Sequence, residues 1–242
     1  MKQAIDHIRE RIGQAAARSG RLPSTVTLIG VSKTHPAELV REAYAAGIRQ
    51  FGENRVQEAE SKISACSDLA DIEWHLIGHL QRNKAKKAAQ LFAVIHSVDS
   101  LELAQALSRH AVELNRTPIR ILLQCNVSGE ASKEGIAAVG WEENAPLRTE
   151  IIALAQTVAA LPGLTLVGLM TVAPYSDDQE TVRGVFHSLR SLRDVLQAAL
   201  PHEQLTELSM GMSGDIDVAI AEGATMVRVG RALFGERSYP AV

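Results

Sequence analysis

Short apolar runs and amphipathic stretches alternate along the chain with little between them. The first segment places Ile5, Ile8 and Ile12 at helical spacing. After it we count eight runs rich in aliphatic and β-branched residues: Val26–Val31, Arg49–Phe51, Glu73–Ile77, Val94–Ser97, Ile119–Asn126, Leu164–Met170, Glu207–Ser209 and Met226–Val229. Intervening stretches, among them Pro36–Ala46, Arg55–Ser64, Leu101–Leu114 and Thr181–Ala199, read as helices. Strands alternating with helices are joined by crossovers and run parallel. Eight such units in 242 residues predict an α/β fold, a (β/α)8 TIM barrel with an extra N-terminal helix. An open doubly wound sheet, usually of about six strands, is the alternative.

Ile151 to Tyr175 carries no charge and is long enough to cross a bilayer. Pro162-Gly163 divides it into a helix-like half and a β-rich half, so a helix followed by a core strand is expected in place of a membrane span. No break in composition divides the chain, and residues 1–242 are expected to form one domain. The loosest stretch runs from Gly129 to Leu147, with Gly135, Gly140, Asn144 and Pro146, and is expected to be a mobile loop between the fifth strand and its helix.

Composition narrows the partners. The 25 Lys and Arg residues stand against 28 acidic ones, a net charge of −3, which offers no general attraction to nucleic acid or anionic membranes. Cys66 and Cys125 have neither disulfide-framework nor zinc-knuckle spacing, which suits a reducing compartment. Asp6, Arg9, Glu10 and Arg11 occupy the place where a signal peptide would need an apolar run, so a cytoplasmic location is expected.

In a barrel, chemistry gathers where strands end. Lys33 follows Val26–Val31 and shares the parity of Ile29 and Val31, so one strand face is apolar and finishes in an amine. Partial desolvation there would favour the neutral nucleophile that a Schiff base needs; a solvated lysine at a loop start is the other reading. After the seventh run comes Ser209-Met210-Gly211-Met212-Ser213-Gly214-Asp215, with a helix starting near Asp215, and after the eighth Arg228-Val229-Gly230-Arg231. Such glycine turns expose backbone N–H groups to an anion, phosphate above all, or simply close tight connections. His75 is either an acid–base group or a hydrogen-bonded packing residue, and with His79 it completes no metal set. Arg82, Lys84, Lys86 and Lys87 read as a solvated helix face, with a secondary anion site as the alternative.

Six ordered blocks carry a resemblance. Val31-Ser32-Lys33-Thr34, Phe51-Gly52-Glu53-Asn54 with Val56-Gln57-Glu58, Trp74-His75-Leu76-Ile77-Gly78 with Leu80-Gln81 and Asn83-Lys84, Gly168-Leu169-Met170, Leu208-Ser209-Met210-Gly211-Met212-Ser213, and Met226-Val227-Arg228-Val229-Gly230 with Leu233-Phe234-Gly235 resemble the pyridoxal phosphate homeostasis protein family over nearly the whole chain. The resemblance implies a barrel like the N-terminal domain of alanine racemase and a covalent aldimine between pyridoxal 5′-phosphate and Lys33. It implies further that Ser209, Gly211, Gly230 and the backbone of Arg231 hold the phosphate, that Arg228 faces the pyridine nitrogen, and that Asn54 lies near the ring. Two positions depart from the common spelling: His35 stands where Lys is frequent, and Arg231 where Thr is frequent.

An arginine at the pyridine nitrogen disfavours its protonation and weakens the ring as an electron sink. Racemisation also needs an acid or base on each face of the substrate, which alanine racemase completes with a tyrosine from a second domain. Here the chain ends seven residues beyond Gly235, and Tyr44, Tyr175 and Tyr239 fall in a helix, a loop and the tail. The expectation is therefore a non-catalytic, monomeric protein that binds the cofactor reversibly, regulates its free level and supplies apo-enzymes. An amino-acid racemase and a Schiff-base aldolase are the enzymatic alternatives.

Overall fold

The computed structural model describes residues 1–130, 133–176 and 178–236. Its strands are β1 (Thr27–Val31), β2 (Gln50–Glu53), β3 (Glu73–Leu76), β4 (Val94–Val98), β5 (Ile119–Asn126), β6 (Ile136–Ala137), β7 (Leu164–Met170), β8 (Glu207–Ser209) and β9 (Met226–Val229). The helices are α1 (Lys2–Arg18), α2 (Ala37–Ala45), α3 (Val56–Ala65), α4 (Ala85–Leu91), α5 (Leu101–Glu113), α6 (Ala145–Ala159), α7 (Gln179–Ala199), α8 (Ile216–Ala221) and α9 (Arg231–Phe234).

The sheet runs β4-β3-β2-β1-β9-β8-β7-β5, and a β4–β5 pairing closes it, so eight parallel strands form a barrel. The predicted barrel is the observed one. Each strand's outward residues pack on the surrounding helices: Phe51, Leu76 and Ile95 are fully buried, as are Val40 and Ala43 of α2 and Leu189 and Leu192 of α7. That ring of contacts is the main core. The extra helix α1 buries Ile5, Ile8 and Ile12 as the spacing predicts and is anchored to α8 by Arg11 and Arg18, both on Asp217 at 2.6 and 2.8 Å. The uncharged stretch is a helix and then a strand, α6 and β7, and no helix among the described residues is long and apolar enough to cross a membrane.

Two local expectations need correction. The second run was expected to stop at Phe51, before Gly52, yet β2 continues to Glu53 because Gly52 pairs with both Val31 and His75. The glycine does not punctuate there; a Cβ would lie 3.0 Å from the Ile29 side chain, so its lack of one makes room in the barrel. The stretch from Gly129 to Leu147 is not all loop: β6 pairs Ile136 with Cys125, and α6 starts at Ala145 with Asn144 as its cap. Asn126 draws the segment in by donating to Glu130 O and Lys133 O, and Trp141 is buried with its Nε1 donating to Ser188. Glycine and proline content alone does not register those ties. Residues 131 and 132 of this stretch lie outside the described ones.

Candidate functional site

The C-terminal ends of β1 and β2 place Lys33. Val31 pairs with Gly52, and Ser32 N–H donates to Gly52 O at 3.1 Å, so continuation of the register brings Lys33 beside Asn54. Lys33 is half-buried in a turn closed by His35 N–H on Ser32 O at 3.1 Å. His35 is buried and stacks on Phe234 of α9, ring centroids 5.5 Å apart. Burial, and secondarily the charge of Lys62, holds its imidazole below the ordinary value. Asn54 leans on Gly78, where a Cβ would come within 2.5 Å of Asn54 O. Its Oδ1 is buried with no hydrogen-bond partner among the described residues.

Across β1 stands β9, in register so that Ile29 pairs with Arg228. Gly230 caps α9, and a Cβ there would lie 3.4 Å from Val31 O, so this turn presses against the strand that delivers Lys33. The Arg231 side chain is exposed, while its N–H lies in the first turn of α9, where helix geometry leaves N–H groups without an intrahelical acceptor. Next to β9, the turn after β8 begins at Gly211, whose φ of 95° disfavours a side chain and where an added Cβ would lie 2.5 Å from the Ala219 Cβ. Met212 N–H donates to the Asp215 carboxylate, and Arg11 holds Ser213 O at 2.7 Å from outside. Among the described residues, the N–H groups of Ser213 and Gly214 have no protein acceptor. Thus β2, β1, β9 and β8, four neighbouring strands, bring Asn54, Lys33, Arg228, Gly230 and Gly211 to one end of the barrel.

Beneath them, a hydrogen-bonded chain crosses the bore. Arg228 is 5% exposed and donates from Nη1 to Ser209 O and Oγ (2.7 and 2.6 Å) and from Nη2 to Thr171 O (2.8 Å). Ser209 Oγ lies 2.8 Å from His96 Nδ1, His96 Nε2 lies 2.8 Å from His75 Nδ1, and His75 Nε2 meets Gln50 Oε1 at 2.6 Å and Glu73 Oε1 at 3.2 Å. The ends settle every direction. A carboxylate only accepts, so His75 carries its proton on Nε2; His96 then donates to His75, Ser209 donates to His96, and Ser209 is left to accept from the guanidinium. The hydroxyl hydrogen of Ser209, expected to serve a phosphate, is committed inside the barrel, and Ser209 is fully buried. Ser213, half-buried in the turn above, is the hydroxyl placed at the rim.

Electrostatics agree with that arrangement. Burial pulls Arg228 down to about 10, partly offset by Asp215, so it is still charged at neutral pH. Burial pulls His75 below its ordinary value and His96 well below, and both are neutral. Glu73 is lowered to about 2, first by the hydrogen bond from His75 and then, against its burial, by Arg120. A pH dependence follows. The folded state keeps two imidazoles neutral that the unfolded chain protonates below about 6.5, so their contribution is complete above that pH and is lost as pH falls through it toward the folded values. Stability should drop by about 1.4 kcal/mol per pH unit for each histidine in that window. Urea midpoints at pH 7.5, 6 and 5 check this; a flat profile would contradict the neutral pair.

Sequence reading missed His96, which stood unremarked inside a strand. Its signal was available: Gln50, Glu73, His75, His96, Arg120 and Gln124 put polar groups on one face of each of four strands that would otherwise be apolar. Tyr44 donates to Asp71, which precedes β3 and so lies at the opposite end of the barrel, and Tyr175 is 94% exposed in the β7–α7 connection. Tyr239 lies outside the described residues. No group of three His, Cys, Asp or Glu among the described residues could hold a metal ion. Arg82 and Lys86 are exposed and Lys87 pairs with Glu60, as a solvated face requires.

Comparison with known proteins places this arrangement among relatives. The family description "Alanine racemase, N-terminal domain" matches residues 4–238. A pyridoxal phosphate homeostasis protein of Pseudomonas aeruginosa is 46% identical over 98% of this chain and 96% of its own, and one of Aquifex aeolicus is 43% identical over 98% of both. The structure of PipY from Synechococcus elongatus with pyridoxal phosphate bound superposes with a TM-score of 0.77 at 46% identity, covering 93% of this chain and all of that one. Alanine racemase of Corynebacterium glutamicum, at 18% identity and a TM-score of 0.70, shares the fold over 97% of this chain and 62% of its own.

Proposed function

Since this chain belongs to the alanine racemase N-terminal domain family, and within it to the pyridoxal phosphate homeostasis proteins, we propose that it binds pyridoxal 5′-phosphate through Lys33 and holds it reversibly without turning over a substrate. In this reading it buffers the free cofactor and supplies apo-enzymes. The supporting observation is the adjacency of β1 and β9, which sets an amine, a buried guanidinium and a glycine turn along one wall.

The residues present fit the group. The Lys33 amine would add to the aldehyde carbon and release water, leaving a Schiff base. Three of the five N–H donors of Arg228 are used by Ser209 and Thr171, and the other two, without acceptors among the described residues, suit an aromatic nitrogen that only accepts. Gly211, Gly230 and the N–H groups of Ser213, Gly214 and Arg231 suit the phosphate. Ser213 supplies the hydroxyl, and Ser209 serves from below by fixing Arg228. The Arg231 guanidinium is exposed and free to approach the phosphate where a threonine is usual. Asn54, with its unpartnered Oδ1, would lie against the ring.

The chemistry that such a group supplies when bound is electron withdrawal through the ring, which a protonated ring nitrogen strengthens. Arg228 opposes that protonation because it is itself charged at neutral pH. Tyr44 is bound to Asp71 at the opposite end of the barrel, and Tyr175 is 94% exposed to solvent. Both points favour holding over racemisation. The test is to load the protein, remove free cofactor and add an apo-aminotransferase: activity should appear as the protein's visible absorbance falls. Racemisation of an amino acid above the rate of free cofactor would overturn the non-catalytic reading.

A further inference from the structure

Behind the turn that carries Lys33, on the outer face of β1 and β2, lies a buried ionic cluster that takes no part in the chemistry proposed above. Lys62 of α3 is 6% exposed in its side chain and Glu53 of β2 is fully buried. Lys62 Nζ donates to Ser32 O at 2.6 Å, Glu53 Oε1 at 2.8 Å and Glu58 Oε1 at 2.7 Å, so all three of its ammonium protons have acceptors. Ser32 Oγ also donates to Glu53 Oε1 at 2.6 Å, and Thr34 N–H donates to Glu58 Oε1 at 2.5 Å. The residues immediately before and after Lys33 are therefore each tied to this cluster, one through its carbonyl and hydroxyl, the other through its amide.

The cluster is a poor device for stability alone. Burial drives the Glu53 carboxyl up against the pull of Lys62, and its Oε2 has no hydrogen-bond partner among the described residues. Buried ion pairs of this kind commonly contribute less than the apolar residues that could replace them, and their best-supported use is to select one conformation. The conformation selected here is unusual: Thr34 has φ of 66°, in the left-handed region that a β-branched residue avoids. Such a residue persists only where its surroundings over-determine it. The bonds from Ser32 and Thr34 to one lysine and its two carboxylates supply that determination.

We propose that Lys62 is the positioning residue for Lys33. Through Ser32 O and through Glu58 it fixes the turn 32–34, so that the Lys33 amine is presented at a set place relative to Arg228 and the glycine turns. This rests on the reading that Lys33 attaches the cofactor. It assigns Lys62 no contact with the cofactor; its role is to remove conformations of the turn in which the amine points elsewhere.

The test uses the double variant Lys62→Met with Glu53→Gln, which removes the ion pair without stranding a charge, and separately Glu58→Ala, which frees the Thr34 amide and leaves the Lys62–Glu53 pair in place. For each, the melting temperature of the cofactor-free protein is compared with its affinity for pyridoxal phosphate, read from the visible adduct well below melting. Reduction with borohydride and peptide mapping identifies the modified lysine. The proposal expects the double variant to bind about tenfold or more weakly and Glu58→Ala to weaken in the same direction, both with melting temperatures near that of the unaltered protein and the adduct still on Lys33. Unchanged affinity, or affinity lost only in step with melting temperature, overturns it. Should the double variant fail to fold, Glu58→Ala decides alone by the same criterion. If the unaltered protein forms no adduct on Lys33, the underlying reading fails as well, and that outcome is distinct from a normal adduct with indifferent variants.

Discussion

Replacing Lys33 with alanine is expected to abolish the visible absorbance that the protein acquires with pyridoxal phosphate and to weaken binding by about a hundredfold or more, about 2.8 kcal/mol. The loss is expected to fall on binding because Lys33 is only half-buried at the end of a strand, and the turn around it is held through Ser32 and Thr34. Residual affinity should remain, since Arg228 and the glycine turns are untouched, and it should favour the phosphorylated over the unphosphorylated aldehyde. Absorbance titration and circular dichroism check the two halves together. A visible band of unchanged strength in Lys33→Ala would place the attachment elsewhere.

The second large effect belongs to Arg228. Its guanidinium closes the β7, β8 and β9 ends onto one another through Thr171 O, Ser209 O and Ser209 Oγ, and no surface water can replace it at 5% exposure. Arg228→Leu strands those acceptors, each at about 1 to 3 kcal/mol. It also takes away the donor that orients Ser209 toward His96. The variant should lose about 3 kcal/mol or more, a fall of about 10 °C in melting temperature for a chain of this size. What remains folded should retain cofactor poorly, because its ring nitrogen faces an apolar group. Differential scanning calorimetry with and without cofactor separates the two losses; a melting temperature within a degree or two of the unaltered protein would show that Arg228 does not hold the strand ends.

The barrel was legible because periodicity and strand count are local properties. Each predicted run overlaps a barrel strand with ends within about two residues, and the β2 end was misjudged because Gly52 has a packing role between Ile29 and Ile77. The candidate site was legible only where short motifs carry it. Lys33, Gly211 and Gly230 announce themselves by position after a strand. Ser209 stands in such a motif too, but its hydroxyl points into the bore, and only the pairing of β8 with β9 and the reach of His96 across 113 positions reveal that. The cluster behind Lys33 was equally hidden. Glu58 and Lys62 form an i,i+4 pair visible in any helix, but their meeting with Ser32 spans 30 positions and depends on the face α3 turns to β1. Burial of charge against strand ends is a tertiary property, so residues that position the site were harder to read than those proposed to touch its ligand.

One measurement bears most directly on the claim that this protein holds its cofactor without using it. The loaded protein, freed of unbound pyridoxal phosphate, is incubated in heavy water with an α-amino acid, and loss of the α-proton signal is followed by nuclear magnetic resonance beside an equal amount of free cofactor. The account predicts exchange no faster than with free cofactor, because charged Arg228 opposes protonation of the ring nitrogen and so weakens the electron withdrawal that would acidify the α-proton. Exchange at many turnovers per loaded protein, abolished in Lys33→Ala, would contradict it and make the protein an enzyme.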